Sequence, residues 1–157
     1  MKKLSWKTYA AWIIPAEALG AFMGWLTRDG MKVYEQTMVK PPLTPPGIVF
    51  PIAWAVLYAL MGVGAARIWG ISPCRERTRA LILYGVQLVV NLAWTALFFQ
   101  WRALDAAFFW LLLLLVLILL MMLAFRHLDH TAAWLQAPYL LWVAFAAYLC
   151  AGVWMLN

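Results

Sequence analysis

The chain has 157 residues, of which 67% are hydrophobic and 11% are charged. Soluble domains carry about 25% charged residues, so this composition excludes a soluble protein and indicates an integral membrane protein. The net charge of +6 comes from basic residues scattered through short loops between apolar runs, which fits membrane topology and argues against nucleic-acid binding.

Five apolar stretches are long enough to cross a bilayer as helices, for which about 20 residues are needed. The sequence therefore predicts an all-α integral membrane protein, a five-transmembrane-helix bundle that forms one domain over residues 1–157. The first stretch contains Pro15 and Glu17 and has no clear small-residue cleavage site, so we expect a retained span rather than a signal peptide. The stretches cover about residues 8–27, 48–69, 80–100, 105–125 and 133–155.

Basic residues are unevenly distributed between the two sides of such a bundle. The N-terminal tail and the second and fourth loops together carry eight lysines and arginines, and the other connections carry four. Lysine and arginine accumulate in cytoplasmic loops. We therefore expect the N-terminus in the cytoplasm, and the C-terminus and the first loop, residues 28–47, outside.

The connection between the first two spans contains a rigid segment. Residues 40–54 include five prolines, and each proline fixes its own φ and disfavours helix at the residue before it. We expect residues 40–47 to form a stiff loop that ends in a turn at Gly47. Pro51 fits the first turn of the second span, which places Trp54 one turn inside that helix, beneath the loop.

Three spans carry aromatic and amide side chains at helical spacing. Unpaired amides are costly in hydrocarbon, so these stripes are expected to face inward and to form a concave, mostly apolar small-molecule pocket. Interhelical hydrogen bonding by Gln87 and Asn91 is the alternative interpretation of the amides. The stripes are Trp54, Tyr58 and Met61 in the second span, Gln87, Asn91, Trp94 and Phe98 in the third, and Trp142, Phe145, Ala146 and Leu149 in the fifth.

The first and fourth spans carry fewer polar residues. Glu17 is either a neutral acid that hydrogen-bonds to a neighbouring helix or a group with a role in ligand binding or proton transfer. Gly20 and Gly24 form a small-xxx-small pair, which favours close helix packing and, as a second possibility, association with another membrane protein. The fourth span has no polar residue beyond Asp105 at its start, where the helix dipole favours a negative charge, and we expect it to be a mostly lipid-exposed strut.

Metal sites and conventional catalytic sites are not predicted. His127 and His130 have no third ligand nearby, and Cys74 and Cys150 lack the spacing of a zinc site or a disulfide framework. The sequence also lacks a nucleophile with a base and an orienting group. Hydrolytic and group-transfer reactions are therefore not expected.

Three motifs occur in order along the chain. They are Lys40-Pro41 with Thr44-Pro45-Pro46-Gly47 leading to Phe50 and Trp54, the stretch 87–94 followed by Phe98-Phe99, and the stretch 137–146. With these motifs, residues 10–157 resemble the TspO/MBR family, the bacterial tryptophan-rich sensory proteins and the mitochondrial translocator proteins. The resemblance implies a five-helix bundle in a bacterial cell membrane, commonly a homodimer. It also implies a pocket under the first loop that binds protoporphyrin IX, haem and, in animal members, cholesterol and drug-like molecules.

The resemblance also assigns roles to individual residues. Trp54 and Trp142 match the pocket tryptophans of the family, and Asn91 matches its pocket asparagine. Neighbouring pocket positions are matched by Tyr58, Trp94, Phe145 and Ala146, and the lid by Tyr34, Pro45 and Pro46.

Three departures from the family pattern are visible. Leu43 stands where the family usually has a tryptophan, and Cys150 stands where it usually has an asparagine. No basic residue follows Tyr148, so the short sterol-binding pattern of animal members is incomplete.

The expected function is binding of porphyrin- or haem-type tetrapyrroles for sensing, sequestration or transport, with no required cofactor. A flat ligand stacks on tryptophan rings, while Gln87, Asn91 and indole N–H groups orient its polar edge. Lys32 and Lys40 either meet ligand propionates at the mouth or are simply solvated. The first alternative is a light-dependent porphyrin-degrading enzyme in which Trp54 and Trp142 take part in electron transfer, and the second is a membrane scaffold.

Overall fold

The computed structural model describes residues 3–157. All regular secondary structure within this range is helical. The helices are α1 (Trp6–Leu26), α2 (Arg28–Thr37), α3 (Val49–Trp69), α4 (Arg75–Thr95) with a π-helical continuation (Ala96–Gln100), α5 (Leu104–Leu128), α6 (His130–Trp134) and α7 (Ala137–Leu156).

Four helical segments are long and apolar enough to cross a membrane. They are α3, α4 with its π-helical continuation, α5, and α6 together with α7. Helix α1 joins α2 at a bend of 59°, and this bent pair counts as a fifth span. The chain is therefore an all-α multi-pass membrane protein with four to five spans, consistent with the predicted bundle.

The first connection differs from the loop expected over residues 28–47, because its first half is helix α2. The prolines that prevent helix begin only at Pro41, which leaves the preceding residues free to continue helically. Gly30 and Tyr34, one turn apart on α2, are both buried. Gly30 lies directly against the backbone carbonyl of Phe99, so α2 lies across the end of α4.

Two other spans begin at residues that differ from the expected ones. Helix α4 starts at Arg75 rather than near residue 80, because Cys74 caps it: its Sγ accepts a hydrogen bond from the backbone N–H of Arg77 at 3.4 Å. The last span opens with the short helix α6, and α7 starts at Ala137 with Pro138 in its first turn. A proline in the first turn lacks an N–H that would have had no helical partner anyway.

Helix α5 is mostly exposed, as expected of a lipid-exposed strut, since 28% of its apolar stretch is buried, the lowest share among the four long spans, and one narrow face lies in the core. Its buried residues recur every three or four positions and are at most 1% exposed. The whole helix is apolar, so no polar face in the sequence indicates which side is packed. The buried face consists of Ala107, Leu111, Leu114, Ile118, Met121 and Phe125.

The packing of the bundle leaves space between α3 and α7. Helix α5 packs between α4 and α7, and α1 packs along α3. Helices α3 and α7 meet through large rings instead: the centroids of Phe50 and Trp142 are 5.9 Å apart, and those of Trp54 and Tyr139 are 6.4 Å apart. The gap that remains lies at the end of the bundle covered by α2.

Gly62 sets the close approach of α1 and α3. A Cβ added at Gly62 would lie 2.6 Å from the Cα of Ile13, and a backbone atom inside a helix cannot move aside without shifting the helix. Gly85 on α4 is also in the middle of a span, but a Cβ there would meet nothing within 4 Å. Gly85 is therefore a matched control for a substitution of Gly62 by alanine.

We predict that Gly62→Ala lowers the free energy of unfolding by about 1–3 kcal/mol, the usual cost of overpacking. Gly85→Ala is expected to be neutral or stabilising by up to about 1 kcal/mol, since alanine favours helix and nothing blocks it. Unfolding midpoints of both variants in the same detergent measure this. Equal midpoints would show that α1 and α3 are not held together at Gly62.

Candidate ligand-binding cavity

A cavity of about 360 Å³ lies inside the bundle at the end covered by α2. Its walls come from α1, α2, the first half of α3, the end of α4 with its π-helical continuation, and the middle of α7. Its volume falls within the range of about 300–1,000 Å³ that is usual for small-molecule pockets. The predicted site residues in its lining are Tyr34, Trp54, Tyr58, Trp94, Trp142 and Ala146.

The cavity wall is built from aromatic rings in mutual contact. Trp54 stacks on Tyr58 with centroids 5.6 Å apart, and Trp94 stacks on Phe98 at 5.3 Å. Tyr34 reaches down from α2 and meets Phe98 edge-on at 5.5 Å. Rings that pack against one another keep their orientation without a ligand, so the wall presents flat apolar surfaces in advance of binding.

The two predicted amides lie beneath the cavity and do not line it. The Tyr58 hydroxyl donates to Asn91 Oδ1 at 2.7 Å, and Asn91 Nδ2 donates to the Tyr139 hydroxyl at 2.7 Å. That hydroxyl in turn donates to Gln87 Oε1 at 2.6 Å, and Gln87 Nε2 donates to the carbonyl of Tyr84 at 3.0 Å. Both amides are thus engaged in interhelical hydrogen bonding, the alternative given by the sequence, and Tyr58 connects this network to the cavity.

Two indole N–H groups of the cavity wall are without hydrogen-bond partners. Trp94 Nε1 and Trp142 Nε1 are buried, and neither bonds to any residue in the described part of the chain. Trp110 behaves differently, because its Nε1 donates to the carbonyl of Val90 at 2.8 Å. A buried donor without a partner costs about 1–3 kcal/mol, so an acceptor on a bound molecule would relieve a cost that the protein otherwise carries.

Glu17 and the small residues of α1 also belong to the cavity. Glu17 is the one acidic residue in the lining formed by residues 3–157, which favours the ligand-facing interpretation of this side chain. Gly20 packs against the ring of Tyr58, whereas a Cβ added at Gly24 would meet nothing within 4 Å. The glycine pair therefore serves helix packing at one position and leaves open space at the other.

The cavity opens sideways between α1 and α3. The exposed members of its lining are Ala21 on α1 and Pro51 and Ala55 on α3. All three are small, so the two helices leave a gap there. Since both helices are membrane spans, the gap faces the lipid rather than the water.

The proline-rich loop closes the end of the bundle but does not line the cavity. Pro45 and Pro46 lie outside the lining, and Leu43 is 81% exposed with a φ of 70°. The loop is held to α7: the Tyr148 hydroxyl donates to the carbonyl of Pro42 at 2.7 Å, and the Asn157 amide pairs with Val39 at 2.8 and 3.1 Å. Tyr34 of α2 is the part of the lid that reaches the cavity.

Two other residues expected near the ligand occupy different surroundings. Phe145 is not in the lining and packs between Trp142 at 5.7 Å and Tyr148 at 6.1 Å. Lys40 Nζ donates to the carbonyl of Glu35 at 2.9 Å and lies 5.0 Å from the ring centroid of Tyr34. This lysine covers the lid tyrosine from above.

Several lining residues were not named as site residues from the sequence. They come from α2, from the end of α4 with its π-helical continuation, from the start of α3 and from α7, and the motif around residues 87–99 already contained the two phenylalanines. Among residues 3–157 no group of three histidines, cysteines or acids could hold a metal ion. The additional lining residues include Met31, Phe50, Thr95, Phe98, Phe99 and Leu149.

The sequence matches a family model described as the TspO/MBR family over residues 10–155. It is 37% identical to the tryptophan-rich protein TspO of Chlorobaculum tepidum, over 79% of this chain and 79% of that protein. It is 38% identical to the translocator protein of Ovis aries, over 88% of this chain and 83% of the relative. Protein CrtK of Rhodobacter capsulatus is 33% identical, over 77% of this chain and 76% of its own length.

We predict that Tyr139→Phe destabilises the bundle by about 2 kcal/mol or more, because it leaves buried groups of both Asn91 and Gln87 unpaired. Tyr148→Phe is the control, since it removes one exposed hydrogen bond and is expected to cost about 1 kcal/mol or less. Chemical unfolding in detergent compares the two. A Tyr148→Phe cost as large as that of Tyr139→Phe would contradict a dominant buried network.

Proposed function

Because this chain belongs to the TspO/MBR family, we propose that it binds porphyrin- or haem-type tetrapyrroles in the cavity beneath α2, for sensing, sequestration or transport. The observation that carries the proposal is the aromatic wall formed by three membrane spans. Flat conjugated ligands gain about 0.5–1.5 kcal/mol for each ring they stack on, beyond the burial of area. Trp54, Trp94 and Trp142 offer such rings around one cavity.

The chemistry of the cavity supports a flat ligand with a few polar atoms. The partnerless indole N–H groups of Trp94 and Trp142 could donate to acceptors of a tetrapyrrole. The sideways opening between α1 and α3 supports a ligand that partitions into lipid before it binds. The same opening leaves room for ring substituents that extend beyond a cavity of about 360 Å³.

We predict that protoporphyrin IX quenches the tryptophan fluorescence of the purified protein saturably in the dark. Changing Trp54 and Trp142 together to Phe should raise the dissociation constant about tenfold, because two stacking partners are weakened. The control changes Trp6 and Trp134, which are 74% and 72% exposed, to Phe. Absence of saturable quenching by the unchanged protein would reject tetrapyrrole binding.

A second candidate function is light-dependent oxidative degradation of the bound porphyrin. The observation that favours it is the position of two oxidisable rings in contact at the cavity, Trp54 stacked on Tyr58 with centroids 5.6 Å apart. An illuminated porphyrin would take an electron from Trp54 and pass it to dissolved oxygen, which is the oxidant and becomes superoxide. Trp54 would release its indole proton, and Tyr58 would then restore Trp54 by giving up a hydrogen atom.

Under illumination in air, a degrading enzyme is expected to bleach the porphyrin absorption band faster than detergent alone does. Trp54→Phe should then lower the bleaching rate by a larger factor than it lowers porphyrin affinity. The bleaching rate is measured with enough protein to bind all of the porphyrin. Bleaching no faster than in detergent would leave binding as the function and reject catalysis.

We further propose that the N-terminus faces the cytoplasm of a bacterial cell, on the strength of the excess of basic residues on that side. The two cysteines of the chain report on this orientation. Cys74 is exposed in the connection before α4, and Cys150 is buried. Cys74 lies on the same side of the membrane as the N-terminus, since α1 and α3 separate them.

A membrane-impermeant maleimide is therefore expected to label the protein after cell lysis but not in intact cells. Cys74→Ser should abolish labelling in both conditions, which shows that Cys150 does not contribute. Labelling of intact cells at Cys74 would reverse the proposed orientation.

A further inference from the structure

A second cavity lies at the opposite end of the bundle, between α1, α4 and the end of α3. Its volume is about 580 Å³, and it forms a groove open along one side, where Lys7, Ala11, Pro15 and Trp69 are exposed. It shares no lining residue with the cavity beneath α2. Nothing in the tetrapyrrole proposal depends on it.

The groove changes from polar to apolar along its length. Lys7 and Thr8 line it at the start of α1, and Ala11, Pro15 and Ala16 line it one to two turns farther on. With a rise of 1.5 Å per residue, the step from Lys7 to Ala16 covers roughly 13 Å. The groove thus runs from the membrane surface into the hydrocarbon. It fits an amphiphile whose charged end lies at the membrane surface.

Aromatic rings form one wall of the groove. The Trp12 centroid lies 5.9 Å from that of Trp69 and 5.8 Å from that of Tyr84. Tryptophan and tyrosine are enriched at the level of lipid headgroups, where one part of the ring is apolar and the other polar. The wall therefore lies at the depth at which a headgroup meets its acyl chains.

A buried cation stands behind this wall. The Arg77 guanidinium lies 4.1 Å from the centroid of Trp69, and the residue is only 8% exposed. Its Nε is buried and has no hydrogen-bond partner within residues 3–157. A buried guanidinium N–H without an acceptor is unfavourable, and a nearby anion would stabilise it.

The surrounding charge at this end of the bundle is positive. Lys3, Arg75 and Arg79 are exposed here beside Glu76. Asp129, the other acid at this end, is already engaged, because its Oδ2 lies 2.7 Å from Arg67 Nε. Charge complementarity therefore favours an anionic occupant of the groove.

We propose that this groove binds a phospholipid with an anionic headgroup. The phosphate lies beside Lys7, with the charge of Arg77 contributed from behind Trp69, and an acyl chain follows Ala11, Pro15 and Leu88 into the membrane. The site selects anionic over zwitterionic lipids through these two cations, and the apolar floor excludes a free phosphate ion.

Native mass spectrometry of the full chain in detergent tests this. The probes are phosphatidylglycerol and phosphatidylcholine with the same acyl chains, supplied at equal concentration. We expect the unchanged protein to retain phosphatidylglycerol about fivefold or more over phosphatidylcholine. Lys7→Gln should reduce that preference about fivefold, because this is the usual effect of one basic residue near a lipid surface. Arg79→Gln is the matched control, because it removes the same charge from the same end outside the groove, and should change the preference less than about twofold.

A second variant, Ala11→Phe, fills the groove without changing any charge. It should lower retention of phosphatidylglycerol at least as much as Lys7→Gln, while the unfolding midpoint shows that the fold is intact. Equal retention of the two lipids by the unchanged protein would overturn the proposal. An Arg79→Gln effect as large as that of Lys7→Gln would also overturn it, and so would displacement of the lipid by inorganic phosphate. A dimer that Ala11→Phe dissociates would overturn it as well, since a second copy of the chain would then cover the groove.

Discussion

The buried hydrogen bonds that join Tyr58, Asn91, Tyr139 and Gln87 hold three spans of this protein in register. They connect α3, α4 and α7 through polar groups in the middle of a membrane, where an unpaired amide would be costly. Asn91 is satisfied only when all three helices are in place, and Gln87 needs Tyr139 of α7 as well as the carbonyl of Tyr84 on its own helix. The ring of Tyr58 is fixed by the same network, and it forms the floor of the cavity.

The exposed lining residues of the cavity beneath α2 lie on α1 and α3. Helix α2 lies across the end of α4 because Gly30 allows contact with the carbonyl of Phe99. The proline-rich loop is held to the end of α7 by Tyr148 and Asn157. The remaining opening lies between two spans, at small residues of α1 and α3. A ligand that reaches the aromatic wall by this route must be soluble in the membrane.

The two ends of the bundle differ in chemistry as well as in position. The end beneath α2 holds aromatic rings around an apolar space, with Glu17 as the one acid in the lining among the described residues. The other end holds a groove whose rim is basic. Arg67 and Asp129 pair at that second end, and Asp129 also accepts a hydrogen bond from the backbone N–H of Thr131 at the start of α6. The two ends of the bundle thus present an apolar aromatic cavity and a groove with a basic rim.

The sequence alone determined the membrane class, the presence of several apolar spans and the aromatic composition of the candidate site, because hydropathy and helical spacing are local properties of the chain. Trp54, Trp94 and Trp142 were predicted to converge on one space, and they line one cavity. Only the tertiary structure decided that Asn91 and Gln87 bond to tyrosines rather than face the cavity, since their partners come from other helices. It alone showed which face of α5 is buried, because a helix that is apolar all round contains no sign of its packed side. Helix α2 and the contact at Gly62 were likewise decided by tertiary packing, since both depend on how closely one backbone approaches another.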